Sequence, residues 1–311
     1  MKMFNWIIKD TTIDFLKFRR LGYAISLLLI VASIVSIAVK GFNYGIDFSG
    51  GVLIEVKSKN GPVDVDKVRN DLSKLNLDEL NLQSVGNDNE QLMIRAQANN
   101  ADEESQRVAV NEIKEILGND FTFERIESVG PQVGDELKRS GVLASVFSCI
   151  AISLYIWFRF EWRFAVGALV GLFHDLFITV GLLSIMHYDL SLTTIAAILT
   201  LAGYSVNDKV VTYDRIRENL PKYKKMSQYD LLNKSINDIF SRTILTSITT
   251  LLASVALYVF GGEALRSFAF VITVGVIIGT YSSIFISVPV LNFFDLRKQP
   301  KDEEVNPFGN V

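Results

Sequence analysis

LTTIAAILTLAGYSVNDKVVTYDRIRE, residues 192–218, begins as a membrane span and ends as a charged helix. Asp208 lies where the two characters meet, with apolar residues on both sides. A carboxylate near hydrocarbon costs roughly 2.5–3.5 kcal/mol, so it usually faces a partner or water. Two readings are open. Either the span ends at Asn207 and Asp208 lies among the lipid headgroups, or Val210 to Tyr213 continue the helix inside the bilayer and Asp208 takes up and loses a proton.

Apolar and charged residues are segregated along the whole chain. It has 311 residues, 49% of them hydrophobic, a formal net charge of −3 and a single cysteine, Cys149. Six apolar runs approach the ~20 residues that cross a hydrocarbon core of about 30 Å. The sequence therefore predicts an α-helical integral membrane protein with six transmembrane helices, and its scattered basic residues do not form a nucleic-acid surface. The predicted spans are 21–39, 141–158, 164–186, 190–207 (or 190–213), 243–260 and 267–291.

The distribution of Lys and Arg predicts the orientation of these spans. The basic segments, which are 1–20, 159–163, the loop after the fourth span and the tail, fall on one side of six crossings. Basic residues collect on the cytoplasmic side, so both termini are expected there. The first run is longer than the apolar core of a signal peptide, which predicts an uncleaved span. The predicted organisation is a cytoplasmic segment 1–20, a first transmembrane helix 21–39, an extracytoplasmic domain 40–139, a five-helix transmembrane domain 140–295 with a cytoplasmic amphipathic segment 214–240, and a cytoplasmic tail 296–311.

The polar region 40–139 has the pattern of a small α+β domain. Its alternation predicts the order βαββαβ, which is that of a ferredoxin-like fold between the first two spans. We find no nucleophile with a base and no metal-ligand cluster, so an enzyme, a cofactor and a metal site are not expected. The acidic surplus is interpreted as a solvated surface, with a docking face as the alternative. The predicted strands are 52–57, 81–85, 91–96 and 121–128, and the predicted helices are 64–75 and 102–117.

Two further features bear on motion and charge in the membrane. VGPQVGDELKRSG, residues 129–141, contains Pro131 between two glycines and predicts a shaped connector that transmits motion between domain and spans. His174-Asp175 lies about 17 Å along the third span from Phe164, at 1.5 Å per residue. Asp175 is thus the most deeply placed acid. A structural hydrogen bond to a neighbouring helix and a role in proton transport are both open for it.

Arg242 stands at the cytoplasmic end of the fifth predicted span, as Asp208 does at the end of the fourth. A positive charge within about 4–6 Å favours the ionised form of a carboxylate, so we expect the two side chains to pair and to separate when Asp208 is protonated. The alternative is that Arg242 extends to lipid phosphate. Nearer the loop, Asp214 with Arg215 is predicted to pair locally.

Three stretches resemble the SecD/SecF family of bacterial protein-export subunits, and SecF in particular. They are YGIDFSGG (44–51), GYSVNDKVVTYDRIRE (203–218) and SRTILTSITTLL (241–252). The resemblance implies half of an RND-type transporter, in which Asp208 and Arg242 match the membrane aspartate and arginine of proton-coupled work. Lys209 departs from the Thr of many relatives, and it either points elsewhere or lowers the proton affinity of Asp208. The other residues that match family motifs are Asp47, Gly50, Gly51, Gly203, Asn207, Asp214 and Arg215.

The resemblance also implies a function and partners. It implies a subunit of the bacterial inner membrane that, with SecD and the SecYEG translocon, uses the proton-motive force to drive unfolded polypeptide outward through a membrane of lipid, with YajC and YidC as associates. Two alternatives are open. One is a structural subunit that stabilises the SecD and channel complex without carrying protons, and the other is an RND-type half-transporter for small-molecule efflux.

Overall fold

The computed structural model describes residues 11–75, 77–85, 88–98 and 103–297. The first ten residues of the predicted N-terminal segment and the tail beyond 297 lie outside the described residues. The chain divides into two compact units. A helical unit comprises Met1–Gly41, Phe147–Tyr188 and Ala196–Val311, and a sheet unit comprises Phe42–Val146 and Asp189–Ile195.

Helices dominate the chain, with a small group of strands between the first long helix and the others. A 3₁₀ turn at Phe15–Phe18 precedes the first helix, and a π-helical turn at Ser283–Ser287 interrupts the last. In chain order the elements are α1 (Arg19–Lys40), β1 (Asn43–Tyr44), α2 (Ile46–Ser49), β2 (Gly51–Ser58), α3 (Val65–Leu72), β3 (Leu77–Val85), β4 (Gln91–Ala98), α4 (Glu103–Leu117), β5 (Phe121–Val129), α5 (Pro131–Arg159), α6 (Trp162–Ile185), β6 (Asp189–Leu190), α7 (Leu192–Lys222), α8 (Gln228–Phe260), α9 (Glu263–Ser282) and α10 (Val288–Leu291).

Five helical segments of the described chain are long and apolar enough to cross a membrane. They are Phe15–Lys40, Gln132–Arg159, Trp162–Ile185, Gln228–Phe260 and Glu263–Leu291. Helix α7 is not among them, because its second half is charged and lowers its mean hydropathy. A sixth span through α7 therefore stays a prediction.

Helix α7 runs unbroken past Asp208. It is a single helix of 31 residues, so the apolar and charged parts of 192–218 form one continuous element. The predicted amphipathic segment 214–240 spans parts of two helices. It is divided between the end of α7 and the start of α8, whose first turn is capped where the Ser227 hydroxyl accepts from the Asp230 N–H at 3.1 Å. Such caps define where a helix begins.

The core of the helical unit is formed largely by α6 and α7. Phe164 and Leu172 of α6 and Tyr213 and Ile216 of α7 are almost entirely buried in it, together with Val288 of α10. Burying side chains of this size stabilises by roughly 1.5–3 kcal/mol each relative to exposure in water. The charged half of α7 is thus packed on one side, which fixes where its polar residues can point.

The sheet unit holds a four-stranded antiparallel sheet in the order β3-β4-β2-β5. The predicted strand and helix order is present, and β3 begins four residues before the predicted 81. Strand β2 is central and buried on both faces, which explains its nearly continuous apolar run. Val52, Ile54 and Val56 lie in the core under the two helices, and Leu53 packs with a smaller cluster on the opposite face.

The connector between sheet and helix is shorter than the sequence predicted. Strand β5 ends at Val129 and α5 begins at Pro131, so only Gly130 separates them. Proline fits the first helical turn because its missing N–H would have no intrahelical partner there. Most of the predicted connector 129–141 is therefore the first three turns of α5, so the connector is helical and not a flexible linker.

Candidate functional site

Asp208 lies on α7 with one carboxylate oxygen buried and unpartnered. Its Oδ1 accepts a long hydrogen bond, 3.3 Å, from the Thr243 hydroxyl of α8. Its Oδ2 is buried with no hydrogen-bond partner among the described residues. Ser283 of the π-helical turn lies near this carboxylate, but its hydroxyl donates to the Thr280 carbonyl at 2.9 Å. Buried polar groups are nearly always satisfied, so an open carboxylate oxygen marks a position whose occupancy can change.

The predicted pairing of Asp208 with Arg242 is not present in the structure. Arg242 is exposed and forms no ion pair within the described part of the chain, although it directly precedes Thr243, which does contact Asp208. Neighbouring residues on a helix point about 100° apart, so only one of the two can face α7. Thr243 takes that position, and the guanidinium points away from the core.

Asp175 and Lys209 form an ion pair in the centre of the helical unit. Lys209 Nζ lies 2.7 Å from Asp175 Oδ2, and both side chains are fully buried. The ammonium also donates to the Ser205 hydroxyl at 2.8 Å and to the Ser282 hydroxyl at 3.1 Å. Lys209 therefore points away from the neighbourhood of Asp208, as one of the two sequence readings expected. A buried ion pair of this kind requires such additional hydrogen bonds to offset its desolvation.

His174 continues this network to α1. Its Nδ1 lies 2.9 Å from Asp175 Oδ1, and its Nε2 lies 2.8 Å from the Ser26 hydroxyl. Ser26 is in turn 3.1 Å from the Tyr281 hydroxyl of α9. A chain of polar groups thus joins α1, α6, α7 and α9 at one level. No cluster of three or more His, Cys, Asp or Glu side chains that could hold a metal occurs in the described ranges.

Small residues of α6 provide room for the polar side chains of α7. A Cβ added at Gly171 would lie 2.3 Å from Lys209 Cε, and one added at Gly167 would lie 2.6 Å from the Tyr213 hydroxyl. That hydroxyl donates to the Ser287 carbonyl at 3.2 Å, inside the π-helical turn. Single π turns are frequent at functional sites, since they shift the register of side chains. These two glycines of α6 therefore accommodate long polar side chains of α7.

The charged end of α7 forms ion pairs both with other helices and within itself. Asp214 accepts from Arg159 of α5 at 2.7 Å, and Arg215 donates to Asp238 of α8 at 2.9 Å. The predicted Asp214–Arg215 pair is absent, because adjacent residues on a helix do not face each other. Arg215 also donates to Glu218, one turn further on, at 2.8 Å.

The glycine-rich motif of the sheet unit contacts the start of α7. Asp47 Oδ2 accepts a hydrogen bond of 2.8 Å from the Leu192 N–H, the first residue of that helix. A carboxylate at a helix N-terminus satisfies a free N–H and complements the helix dipole. Gly50 and Gly51 have φ values of 72° and 106°, and a Cβ on Gly51 would lie 2.8 Å from the Ala96 carbonyl. The motif is therefore built to bring Asp47 to this position.

Two predicted motif residues of α7 are exposed to the surroundings of the helical unit. Gly203 and Asn207 are exposed on α7, and a Cβ at Gly203 would meet nothing within 4 Å.

In the sheet unit the charges form surface pairs. Although burial opposes its charge, Arg125 has a raised pKa because it donates hydrogen bonds to the carboxylates of Glu127 and Glu55. This accords with a structural and not a catalytic use of these acids.

The partner of Asp175 was missed at the sequence level. Asp175 and Lys209 are 34 residues apart on different helices, and no local spacing connects them. The signal that could have found the pair is physical: a lysine at the end of an apolar stretch is almost never fully buried unless it is paired. Asp175 was the most deeply placed acid and hence the natural partner.

Comparison with known families places this chain beside protein-export membrane proteins. The family described as "Protein export membrane protein SecD/SecF, C-terminal" matches residues 109–297, and the "SecD/SecF GG Motif" matches residues 35–61. The protein translocase subunit SecF of Rickettsia rickettsii is 47% identical over 289 residues, which cover 92% of each chain. That of Rickettsia bellii is 46% identical over 292 residues, which cover 93% of this chain and 95% of the relative.

Solved structures show the same similarity at the level of the fold. The crystal structure of SecDF, a translocon-associated membrane protein from Thermus thermophilus, aligns with a TM-score of 0.81 and 35% identity over 91% of this chain. A super-membrane-facing form of SecDF aligns with a TM-score of 0.66 and 34% identity over 93% of it. In both cases the present chain spans only 39% of the SecDF chain.

Proposed function

The chain belongs to the SecF family of protein translocase subunits, and from that premise we propose that it completes polypeptide export by letting protons through the membrane at Asp208. A role in protein export follows from the family, whose members are transport components. The proton-motive force as energy source, and Asp208 as the group that carries the proton, are the proposal. The single observation that carries it is the buried, unpartnered Oδ2 of Asp208 between α7 and α8.

The proton gradient supplies enough free energy for a proton that binds the unpartnered carboxylate oxygen to change the packing of the helices. Each unit charge that crosses 100 mV releases about 2.3 kcal/mol, which biases a two-state packing by more than tenfold. The Asp208 carboxylate accepts one long hydrogen bond, so protonation would change its contact with Thr243 at little cost. Movement of α7 relative to α8 would then accompany each proton.

The proposal includes a second half that this chain lacks. Transporters of this type use paired repeats, with the ion site near their interface. On α7 the row Thr200, Gly203 and Asn207 is exposed. Its Thr and Gly are small enough for close helix approach, and its Asn can form a hydrogen bond to a neighbouring helix. We assign this row to SecD, and we propose that binding of the partner turns α8 so that Arg242, which is exposed in this chain alone, approaches Asp208.

The remaining features follow the family resemblance and the charge distribution. We place the protein in the bacterial inner membrane with six spans, both termini cytoplasmic and a ferredoxin-like domain at 40–139 outside. SecYEG is the proposed channel, with YajC and YidC as associates. The strand order β3-β4-β2-β5, which is that of a split βαβ sheet, supports the assignment of the outer domain.

One observation favours a second candidate function. Arg242 does not contact Asp208 in this chain alone, so the charge pair expected for a proton motor is incomplete. A structural subunit that stabilises SecD and the channel would not need that pair.

Polypeptide translocation into inverted membrane vesicles that contain SecYEG and SecD distinguishes the proton motor from the structural subunit. With the wild-type chain, collapse of the proton gradient is expected to slow export, and with Asp208→Asn this sensitivity is expected to be lost at normal complex assembly. The matched control is Asp71→Asn on the sheet unit, an exposed acid that pairs with Lys74 at 2.9 Å. If Asp208→Asn vesicles assemble, export as fast as the wild type and respond equally to collapse of the gradient, the structural function replaces the proton motor.

A further inference from the structure

The ammonium of Lys209 occupies a closed site made of oxygen atoms. Its neighbours are Asp175 Oδ2 at 2.7 Å, Ser205 Oγ at 2.8 Å, Ser282 Oγ at 3.1 Å and the Ser205 carbonyl at 3.3 Å. These atoms come from α6, α7 and α9, and Lys209 has no exposed surface. An ammonium has three protons to donate, so four oxygens within reach satisfy it completely.

The site is shaped for the lysine stem as well as for its charge. Gly171 lies against it so closely that a Cβ there would fall 2.3 Å from Lys209 Cε and 3.3 Å from Cδ. On the far side, a Cβ at Gly279 would stand 3.7 Å from Asp175 Oδ2. Gly171 thus leaves the space that the lysine stem needs, whereas a Cβ at Gly279 would make only an ordinary van der Waals contact.

Both oxygens of the Asp175 carboxylate also have hydrogen-bond partners in this site. One oxygen faces His174 Nδ1 at 2.9 Å, and the other accepts from Lys209 and from the Ser205 hydroxyl at 2.6 Å. Neither oxygen is open, in contrast to Asp208. Removal of the ammonium would leave a buried carboxylate with hydroxyl and carbonyl oxygens around an empty space, and such oxygen ligands are those preferred by hard cations.

We propose that Lys209 is a tethered cation: its ammonium permanently fills a monovalent-cation site formed by Asp175, Ser205 and Ser282, and so removes Asp175 from any ion cycle. Asp175 then acts as a positioning residue that joins α6, α7 and α9. The site accepts Na⁺ once the lysine side chain is shortened, because the carboxylate still needs a counter-charge. In the proposed export mechanism Asp208, and not Asp175, then carries the proton.

The test uses the full chain in lipid nanodiscs and measures its thermal unfolding in mildly alkaline buffer with NaCl or with choline chloride at equal ionic strength. The four proteins are the wild type, Lys209→Ala, Asp175→Asn and the double variant. Lys222→Ala is the matched control, since this lysine lies on the same helix but is exposed beside Glu218. A ligand that binds only the folded state raises the unfolding temperature with its concentration.

We expect Lys209→Ala to unfold several degrees below the wild type in choline chloride and to recover with rising NaCl. The wild type, the control and the double variant should show no specific response to Na⁺, and the double variant should unfold closer to the wild type than either single variant. An equal response of all proteins to NaCl, or no response of Lys209→Ala, would overturn the cation site.

Failure of the single variants to fold would still be informative. If neither folds and the double variant does, the tethered ion pair is supported, because removing both charges is tolerated where removing one is not. If the double variant also fails to fold, the proposal is wrong and the lysine has a packing role that charge does not explain.

Discussion

Asp208 and Lys209 are adjacent on α7, yet their surroundings are opposite. Lys209 has a carboxylate and three further oxygens around its ammonium, whereas Asp208 has one hydrogen bond of 3.3 Å and an unpartnered oxygen. A rotation of about 100° between neighbouring helix positions separates them. The Lys209 side faces α6 and α9, and the Asp208 side faces α8 and the π-helical turn. The two residues show that one helix can hold, at adjacent positions, an ammonium whose charge is fixed by its partners and a carboxylate whose protonation can change.

The largest expected effect comes from neutralising the two acids of this comparison separately. Asp175→Asn leaves the Lys209 ammonium buried without its counter-charge, and breaking a buried pair in this way destabilises by about 3–5 kcal/mol. Asp208→Asn removes a charge that has no buried partner, so its effect on stability is expected to be under about 1 kcal/mol. Unfolding of both variants in the same denaturant series measures the difference.

Equal destabilisation by the two substitutions would break the comparison. It would mean that Asp208 is held as firmly as Asp175 and that the open oxygen does not reflect a difference in free energy. Asp175→Glu is a useful third variant, since it retains the charge and tests whether position alone matters.

A glycine pair sharpens the same comparison at the level of space. Gly171→Ala places a Cβ against the Lys209 stem and is expected to destabilise by about 1–3 kcal/mol, as overpacking does. Gly203→Ala is the matched control on α7, where the added Cβ meets nothing within 4 Å. Since Ala favours a helix by up to about 1 kcal/mol over Gly, that control should be neutral or stabilising in the isolated chain.

These two glycine variants are compared by thermal unfolding of the chain without its partner. The packing described for the Lys209 side chain would be contradicted if Gly171→Ala stabilised the chain. It would also be contradicted if Gly203→Ala lowered stability as much as Gly171→Ala.

Much of the sheet unit could be predicted from sequence, because its information is local. The alternation in β5 and the continuous apolar run of β2 match an edge strand and a central one, and both lie within one or two residues of the predicted bounds. Helix α5 begins ten residues before the predicted span at 141, because the polar residues 131–140 belong to the same helix as the apolar ones.

The candidate site could be predicted only in part, for a physical reason. The apolar residues around Asp208 and Asp175 mark both carboxylates as energetically costly in a membrane. The sequence of each helix alone is enough to show this cost. Their partners lie on other helices, so which side chain faces which depends on helix rotation and packing. The contact of Asp208 with Thr243 instead of Arg242, and of Lys209 with Asp175, required coordinates.

The smallest of the expected effects concerns Asp47 and the first turn of α7. Asp47→Ala removes the acceptor for the Leu192 N–H and is expected to cost about 1 kcal/mol, as lost helix caps do. Asp47→Asn keeps an acceptor oxygen and should cost less. Hydrogen exchange at 192–195 reports the change, and unaltered exchange in Asp47→Ala would show that the contact does not hold the helix end.

Infrared difference spectroscopy of the full chain with its SecD partner, recorded across a pH titration, tests the central claim most directly. It detects the protonated carboxyl group of a buried acid. The account predicts a carboxyl band that appears and disappears with pH in the wild type, is absent from Asp208→Asn, and remains in the double variant Asp175→Asn with Lys209→Met. A band that persists in Asp208→Asn and vanishes in the double variant would assign the changing proton to Asp175 and contradict the account.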